Sequence, residues 1–512
     1  MKVSTMYIKT LTLSVALLPF VALAESNEKQ AVAQRLKLFK EDPKAAMEAA
    51  PLRFNANGAS IDETETVDRE RLFELRDRQR QGIMKKRPND VWVSNSGHAP
   101  WSEVANNDRV ERFVDAQYVE HNIQKHAETL PMSRELSNQP WSDDYWATYK
   151  GGLGARYADS DFPRSRDWER NKQYVEANPA ADVFDSGVAS EIDKLSPAEK
   201  FDLLIGDEEF SLTAASWRDG QYYYDEYGEV ETWFGICHGW APAAFMVERP
   251  LKPIRLLAAD GETYIKFYPA DIKALASLLW AKGSFPSKFI GGRCNDKDPE
   301  KDDNGRVISQ DCFDNNPATW HLAVLHQIGL SDRSFVMDAT FDYQVWNQPV
   351  FSYEYSYVNP NSAESVGSLS EALIDSDDYA QDPFSKYRSQ KMRYIVGVVM
   401  KVEYMVEISP YQRENENSDY DSSHSVYYNY DLELDENYEI VGGEWHSNRH
   451  PDFLWVPYHN SQARSSYESV AAGEWLLDQP LPSEWQLAAK WAARSGVPLA
   501  KIVDGMVKAS RL

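Results

Sequence analysis

The feature that most constrains the fold is a cysteine set between two glycines at the start of a helical segment. Cys237 lies in the run Trp-Phe-Gly-Ile-Cys-His-Gly-Trp, where Gly235 and Gly239 allow other backbone segments to approach closely. A helix is predicted to begin just after the cysteine, over 241–247, with Pro242 in its first turn. The positive end of a helix lowers a cysteine pKa, and its free amides can stabilise an oxyanion. The pattern favours a nucleophile over a buried, inert cysteine.

A second segment, downstream, supplies a histidine and an aspartate. Residues 320–328 alternate as in a strand, which places His321 and His326 on opposite faces. The Gly-Leu pair that follows can form a two-residue hairpin turn, and that register sets His321 directly across from Asp338. A neighbouring carboxylate fixes the tautomer of a histidine and stabilises its cation. The sequence therefore predicts a catalytic triad of Cys237, His321 and Asp338.

The N-terminus has the pattern of a secretory signal peptide. A basic start is followed by an apolar run over 11–24 that ends in Ala-Leu-Ala, so residues 1–24 are predicted to be removed and Glu25 to begin the mature protein. A buried helix or a membrane anchor is the alternative, but the run is short for a membrane span. The predicted location is secreted or periplasmic, with no membrane span in the mature protein.

The charge balance excludes some partners. The chain carries 80 acidic and 54 basic residues, a net charge of −26, which argues against nucleic acid and anionic lipid. The chain has three cysteines, so in a secreted protein at least one cannot be paired in a disulfide within the chain. Cys294 and Cys312 bracket a short loop and are predicted to form a disulfide, which leaves Cys237 free.

Composition along the chain suggests four units. They are the signal peptide 1–24, a helical N-terminal region 25–135, a catalytic domain 136–470 and a C-terminal helical segment 471–512. The N-terminal region is either a propiece or cap, or a solvated helical extension. Smaller patterns predict individual elements: helices over 29–39, 68–81, 271–281, 483–493 and 499–509, a capping box at Ser196 and Glu199, and strands over 392–408, 425–434 and 439–445.

An acidic segment resembles a calcium-binding loop. Glu300, Asp302, Asn304 and Asp311 match ligand positions of the twelve-residue loop, with Glu in place of the usual first Asp and Asp in place of the usual last Glu. A solvated acidic loop is an equally good reading in a chain this acidic. The pattern alone leaves both open.

Three motifs together carry a family resemblance. The run around Cys237, the segment His-Leu-Ala-Val-Leu-His-Gln-Ile-Gly with its downstream Phe-Val-Met-Asp, and Val-Trp-Asn-Gln-Pro-Val over 345–350 resemble the oomycete transglutaminase elicitor family. The resemblance extends from about Gln139 to Trp455. It implies an α+β fold with a papain-like or transglutaminase-like core, in which a helix carrying the cysteine packs on an antiparallel sheet carrying the histidine and aspartate.

The resemblance also implies a calcium-dependent protein-glutamine γ-glutamyltransferase. In that scheme Cys237 attacks a glutamine side chain, His321 moves the proton, Asp338 orients His321, and a lysine amine resolves the thioester. Partners would be proteins with accessible glutamine and lysine. Trp233 and His238 would contact the oxyanion or substrate, and the acidic loop would bind Ca²⁺. The alternatives are a papain-like peptidase or amidase and a secreted binding protein with an inactive site.

Overall fold

The computed structural model describes residues 18–61 (side chains from 27 onward), 104–105, 108–115, 117–292, 299–309, 312, 315–339 and 345–512. In these residues helices pack on a large antiparallel sheet, which confirms the predicted α+β class. The helix predicted over 68–81 lies outside them. None of the described helices combines the length and hydropathy that a membrane span requires.

The described strands form one sheet of eleven and a separate pair. The order in the large sheet is β1-β11-β10-β7-β6-β13-β5, with β12 beside β11, β2 and β8 beside β7, and β9 beside β10. The strands are β1 (Leu52–Asn55), β2 (Ser133–Glu135), β3 (Ile254–Leu257), β4 (Tyr264–Phe267), β5 (Ser287–Gly291), β6 (Phe335–Asp338), β7 (Asn347–Asn359), β8 (Glu364–Val366), β9 (Ile374–Asp375), β10 (Tyr394–Val406), β11 (Ser422–Leu434), β12 (Ile440–Trp445) and β13 (Phe453–Pro457).

The helices are distributed along the whole described chain. They are α1 (Leu18–Glu41), α2 (Pro43–Glu48), α3 (Ile123–Thr129), α4 (Trp168–Ala177), α5 (Ala180–Asp185), α6 (Ala189–Ile192), α7 (Pro197–Ile205), α8 (Ser211–Tyr227), α9 (Cys237–Met246), α10 (Pro269–Lys282), α11 (Pro317–Val324), α12 (Leu369–Ala372), α13 (Ser483–Arg494) and α14 (Ala500–Ser510). The predicted signal-peptide cleavage point falls inside α1, and processing there stays a prediction.

Local sequence signals explain several of these elements. As predicted, Ser196 caps α7: its hydroxyl accepts a hydrogen bond from the backbone N–H of Glu199. The carboxylate of Glu199 in turn accepts from the backbone N–H of Ser196. The strand predictions over 392–408 and 425–434 are confirmed as β10 and β11, whose runs of β-branched and aromatic residues suit a buried sheet. The predicted strand over 320–328 is wrong, because α11 and a π-helical continuation over Leu325–Leu330 occupy that segment.

The N-terminal and C-terminal regions contact the central sheet or its helices. β1 pairs with β11, and β2 pairs with β7, so strands from the region 25–135 belong to the large sheet. Helices α13 and α14 contribute Trp485, Ile502 and Met506 to the main hydrophobic core. The described parts of these regions are therefore integrated into the fold.

The two faces of the sheet carry different helices at β6. Phe335 and Asp338 are three residues apart in this strand, so their side chains point to opposite faces. The ring of Phe335 contacts Trp320 of α11, with centroids 6.4 Å apart. Asp338 lies on the other face, opposite its strand partner Asn347, which contacts the first residue of α9. The sheet therefore separates α11 from the start of α9.

Candidate active site around Cys237

Cys237 is the first residue of α9 and lies at a helix end without a side-chain cap. The preceding Ile236 makes no capping bond, so the first N–H groups of the helix lack the usual side-chain acceptor. Pro242 lies inside the helix rather than in its first turn, because α9 begins earlier than predicted. Ile236 O accepts from Gly239 N at 2.8 Å, so in the described part of the chain the N–H groups of Cys237 and His238 are the ones left at this helix end beside the thiol.

The two glycines beside the thiol are required by close packing, as predicted. A Cβ on Gly235 would lie 2.3 Å from the carbonyl oxygen of Tyr145. A Cβ on Gly239 would lie 2.2 Å from the carbonyl oxygen of Ser277 in α10. Both contacts are to backbone, so a side chain at either position would displace the helix that carries Cys237.

Asn347 donates to the sulfur of Cys237. Its Nδ2 lies 3.7 Å from Sγ, and Trp455 Nε1 donates to its Oδ1 at 2.8 Å, which turns the amide so that its N–H group faces the thiol. On another side Sγ lies 3.6 Å from the carbonyl oxygen of Val345. The sulfur thus has N–H donors from Asn347 on one side and a carbonyl acceptor on the other.

Asp338 lies beside this pair but at the end of a separate strand. It is fully buried, it pairs with Asn347 across β6 and β7, and its Oδ1 accepts from Trp346 N at 3.1 Å. The structure therefore brings together two of the three predicted triad residues, Cys237 and Asp338.

The electrostatic environment keeps the thiol protonated. Burial raises the pKa of Cys237 to about 11, the backbone and side-chain N–H groups of Asn347 oppose this increase, and the charges of Glu407 and Asp338 add to it. The thiol is therefore neutral at physiological pH in this conformation. Ionisation has to accompany substrate binding or attack.

His321 does not lie where the hairpin prediction put it. It is a residue of α11, its Nδ1 lies 2.9 Å from the hydroxyl of Tyr430, and its ring packs edge-on to Tyr355 at 5.2 Å. The predicted pairing of His321 with Asp338 is wrong, because Asp338 of β6 pairs with Asn347 of β7. The sheet also separates His321 from the thiol. A general base must come within hydrogen-bond reach of its proton, whereas the contacts of His321 are with Tyr430 and Tyr355.

His321 belongs instead to a buried histidine cluster. Its ring stacks at 6.0 Å on His126, which in turn contacts the ring of His326 at 6.2 Å. His326 Nδ1 bonds to the carbonyl oxygen of Leu322, and its Nε2 accepts from Glu120 N. Burial lowers the pKa of all three histidines, to about 4 for His126. They are neutral core groups at physiological pH.

The two predicted oxyanion contacts have other partners. The indole N–H of Trp233 donates to Glu231, and its ring lies edge-on to Phe234 at 4.4 Å. The ring of His238 bonds to the backbone of Ala281 in α10. The backbone N–H groups at the start of α9 are better placed for an oxyanion than either side chain.

In the described part of the acidic loop, Asp302 is engaged in hydrogen bonds within the protein. Asp302 Oδ1 already accepts from the backbone of Asn304 and Arg306, and its Oδ2 accepts from Tyr387. In the described part of the chain no group of three or more His, Cys, Asp or Glu side chains could hold a metal. Glu300 is exposed, and Asp311 lies outside the described residues. Calcium binding stays a prediction, and no chemical step is assigned to it.

The sequence predicts one free cysteine and one disulfide, and the described residues include only two of the three cysteines. Cys237 is free, as that division requires, but it is buried and its pKa is raised, whereas the sequence led us to expect a pKa lowered by the helix start. Cys312 is buried, whereas Cys294 lies outside the described residues. The disulfide between the latter two stays a prediction.

Sequence reasoning missed an acidic group beside the thiol. Gln348, the neighbour of Asn347, donates from Nε2 to Glu407 Oε1 at 2.8 Å, and Asp144 adds its charge to Glu407. The motif over 345–350 contained Asn347 and Gln348 but gave no role to either. Glu407 and Asp144 lie more than 60 residues from Cys237 in sequence, with no local motif, and only the fold brings them there.

A known protein family is similar to this chain over most of its length. A family model described as Transglutaminase elicitor matches residues 114–472, well over half of the chain. Among solved structures, the chain is similar to the GP42 transglutaminase from Phytophthora sojae, at 20% identity and a TM-score of 0.47, over 73% of this chain and 94% of that chain. No curated protein matches. The family model, and not the structural likeness, carries the comparison.

Proposed function

Because the chain belongs to the transglutaminase elicitor family, we propose that it is a protein-glutamine γ-glutamyltransferase that acts through Cys237. The observation that carries the proposal is the free thiol at the uncapped start of α9, with the amide of Asn347 directed at its sulfur. Family membership alone does not establish activity, so the proposal rests on this geometry as well.

The first half of the reaction forms a thioester. Sγ of Cys237 attacks the γ-carbonyl carbon of a substrate glutamine, the C–N bond breaks, and the thiol proton leaves with ammonia. The N–H groups of Asn347 stabilise the sulfur as it gains negative charge. The backbone N–H groups at the start of α9 are the donors for the carbonyl oxygen, which becomes an oxyanion at this point.

The second half transfers the acyl group. A lysine ε-amine attacks the thioester carbonyl and gives an isopeptide bond, or water attacks and gives glutamate. Either way the C–S bond breaks and Cys237 regains its proton. A peptidase or amidase would use the same acylation chemistry, so the acceptor and the leaving group separate the two functions.

The direct test is incorporation of a fluorescent primary amine into a glutamine-rich protein, in calcium and in chelator. We expect labelling by the wild type and none by Cys237→Ala. Equal labelling by that variant would overturn the proposed nucleophile. Appearance of new protein N-termini without labelling would favour the peptidase.

The same assay decides the role of His321. We expect His321→Asn to retain labelling, because the variant keeps a donor towards Tyr430 and the residue lies on the face of the sheet away from Cys237. Its thermal unfolding is measured alongside to show that it folds. If His321→Asn folds and is as inactive as Cys237→Ala, the result would support the sequence-based prediction that His321 is the catalytic base.

A further inference from the structure

Two carboxylates lie beside the chain segments that contact Cys237. The backbone of Ile236, which precedes the thiol, donates to the carbonyl oxygen of Tyr145 at 2.7 Å, so the segment with Asp144 runs beside the start of α9. A second backbone bond, from Ile408 N to Asp143 O at 2.9 Å, sets Glu407 next to the same segment.

A buried amide oxygen at this place has no donor. Gln348 is 3% exposed, and its Nε2 donates to Glu407 Oε1, but its Oε1 has no hydrogen-bond partner among the described residues. An unpaired buried carbonyl oxygen is costly, and native structures usually keep one for a ligand or water. Nε2 and Oε1 belong to one amide group, so the unpartnered oxygen lies close to Glu407, on the branch of the amide that does not contact the carboxylate.

The site thus offers hydrogen-bond acceptors and negative charge. Asp144 uses Oδ1 to accept from Trp146 N, and the charge of Lys150 partly offsets its own. Burial raises the pKa of Glu407 to about 7, and it also raises the pKa of Asp144. Both carboxylates remain partly exposed, so a cationic ligand can reach them, and its charge stabilises their ionised forms against the cost of burial.

The neighbouring surface suits an alkyl chain. The rings of Tyr145 and Trp346 contact each other with centroids 5.3 Å apart, and both side chains are partly exposed. A Cβ on Gly235, two residues before Cys237, would lie 2.6 Å from Cδ2 of the Tyr145 ring, so this pair of rings is near the start of α9. Aromatic faces of this kind pack against the methylenes of a lysine and attract its charge.

Resting on the proposed transferase function, we propose that Glu407, Asp144 and the Oε1 atom of Gln348 form the subsite for the acceptor amine. The lysine ammonium of the second protein substrate binds these oxygens, with its alkyl chain against Tyr145 and Trp346. The three N–H donors of an ammonium match the three acceptor groups in number.

The subsite also accounts for the proton balance of transfer. The ammonium gives one proton to Glu407, and the resulting amine attacks the thioester carbonyl. The N–C bond forms, the C–S bond breaks, and a second proton passes from nitrogen to Sγ of Cys237. Glu407 then releases its proton to solvent. The products are the isopeptide, the free thiol and one proton. The charge of that proton balances the charge of the ammonium consumed.

The test compares a cationic acceptor with an uncharged one. For Glu407→Gln we expect the KM for a cationic alkylamine to rise about tenfold or more, because one of two carboxylates is lost. Ammonia release without an acceptor and hydroxamate formation with hydroxylamine, which is uncharged at neutral pH, should not fall, because loss of the Glu407 charge favours ionisation of Cys237. Asp144→Asn, which keeps the bond to Trp146, should show the same split.

Glu403→Gln is the matched control, because it removes a carboxylate from the same strand region that pairs instead with Ser352 and Lys401. Equal loss of all three activities in Glu407→Gln, with unchanged thermal unfolding, would overturn the subsite, as would an unchanged KM for the cationic amine. Absence of ammonia release and hydroxamate in the wild type would instead refute the transferase itself.

Discussion

The contact between Asn347 and Cys237 makes a quantitative prediction about thiol reactivity. Asn347→Leu keeps the approximate shape of the side chain but removes the Nδ2 donor that lies 3.7 Å from Sγ. A hydrogen bond to a charged group contributes about 1.5–3 kcal/mol. Loss of that stabilisation from the thiolate corresponds to a pKa about one to two higher, since about 1.4 kcal/mol equals one pKa unit.

The expected rate change is smaller than the change in ionisation. The thiolate fraction falls about 10- to 100-fold, but a more basic thiolate is a better nucleophile with a Brønsted coefficient of about 0.5, which offsets half of the logarithmic loss. Alkylation by iodoacetamide at a fixed, mildly alkaline pH should therefore slow about 3- to 10-fold, measured by mass spectrometry of the Cys237 peptide.

A graded control tests the geometry. Trp455→Phe keeps the Asn347 donor but removes the bond from Trp455 Nε1 that orients it, so its rate should fall between those of wild type and Asn347→Leu. An alkylation rate for Asn347→Leu within about twofold of wild type would refute the reasoning, because the amide would then not stabilise the sulfur anion.

Two further predictions concern stability. Gly239→Ala should cost about 1–3 kcal/mol by overpacking against Ser277, measured by urea unfolding, whereas Gly367→Ala, with no neighbour nearer than 3.8 Å, should cost little; equal effects would contradict this. The pKa of His126 is near 4 when folded and near 6.5 otherwise, so the unfolded state binds more protons between these values and stability falls as pH falls through them. His126→Gln, which keeps a donor towards Glu120, should remove about 2 kcal/mol of the loss between about pH 7.5 and about pH 5, and an unchanged pH dependence would count against burial of a neutral histidine.

The sequence predicted the elements whose signals are local. Gly235 and Gly239 indicated close backbone approach, and both meet main-chain atoms in the fold. The capping box at Ser196 marked the start of α7. In each case the physical cause lies within a few residues, so no knowledge of the fold was needed.

The strand prediction for the segment with His321 failed because the whole segment is buried. From Pro317 to Ile328 every side chain is buried, so the segment has no polar face from which a helical period could be recognised. The apparent alternation of side chains over 320–328 did not correspond to a buried face and a solvent-exposed face, because all of these residues are buried. A usable signal stood just before: Asn316 caps α11, and Pro317 occupies the first turn.

The acceptor group beside the thiol could not be predicted for a different reason. Gln348 and Glu407 belong to the ends of β7 and β10, which become neighbours only through sheet pairing. A bulge between Glu403 and Tyr404 shifts the register just before this point. The identity of a neighbour at such a place follows from tertiary structure alone.

The same carboxylates that keep the thiol neutral can promote acyl transfer. Glu407 and Asp338 raise the pKa of Cys237 because their charges oppose a thiolate. In the proposed transfer, Glu407 takes a proton from the lysine ammonium, so its charge no longer opposes negative charge on Sγ when the C–S bond breaks. Acceptor binding and leaving-group ability are coupled through that proton. Water brings no such proton, so the proposed subsite predicts a higher ratio of amine transfer to hydrolysis in the wild type than in Glu407→Gln.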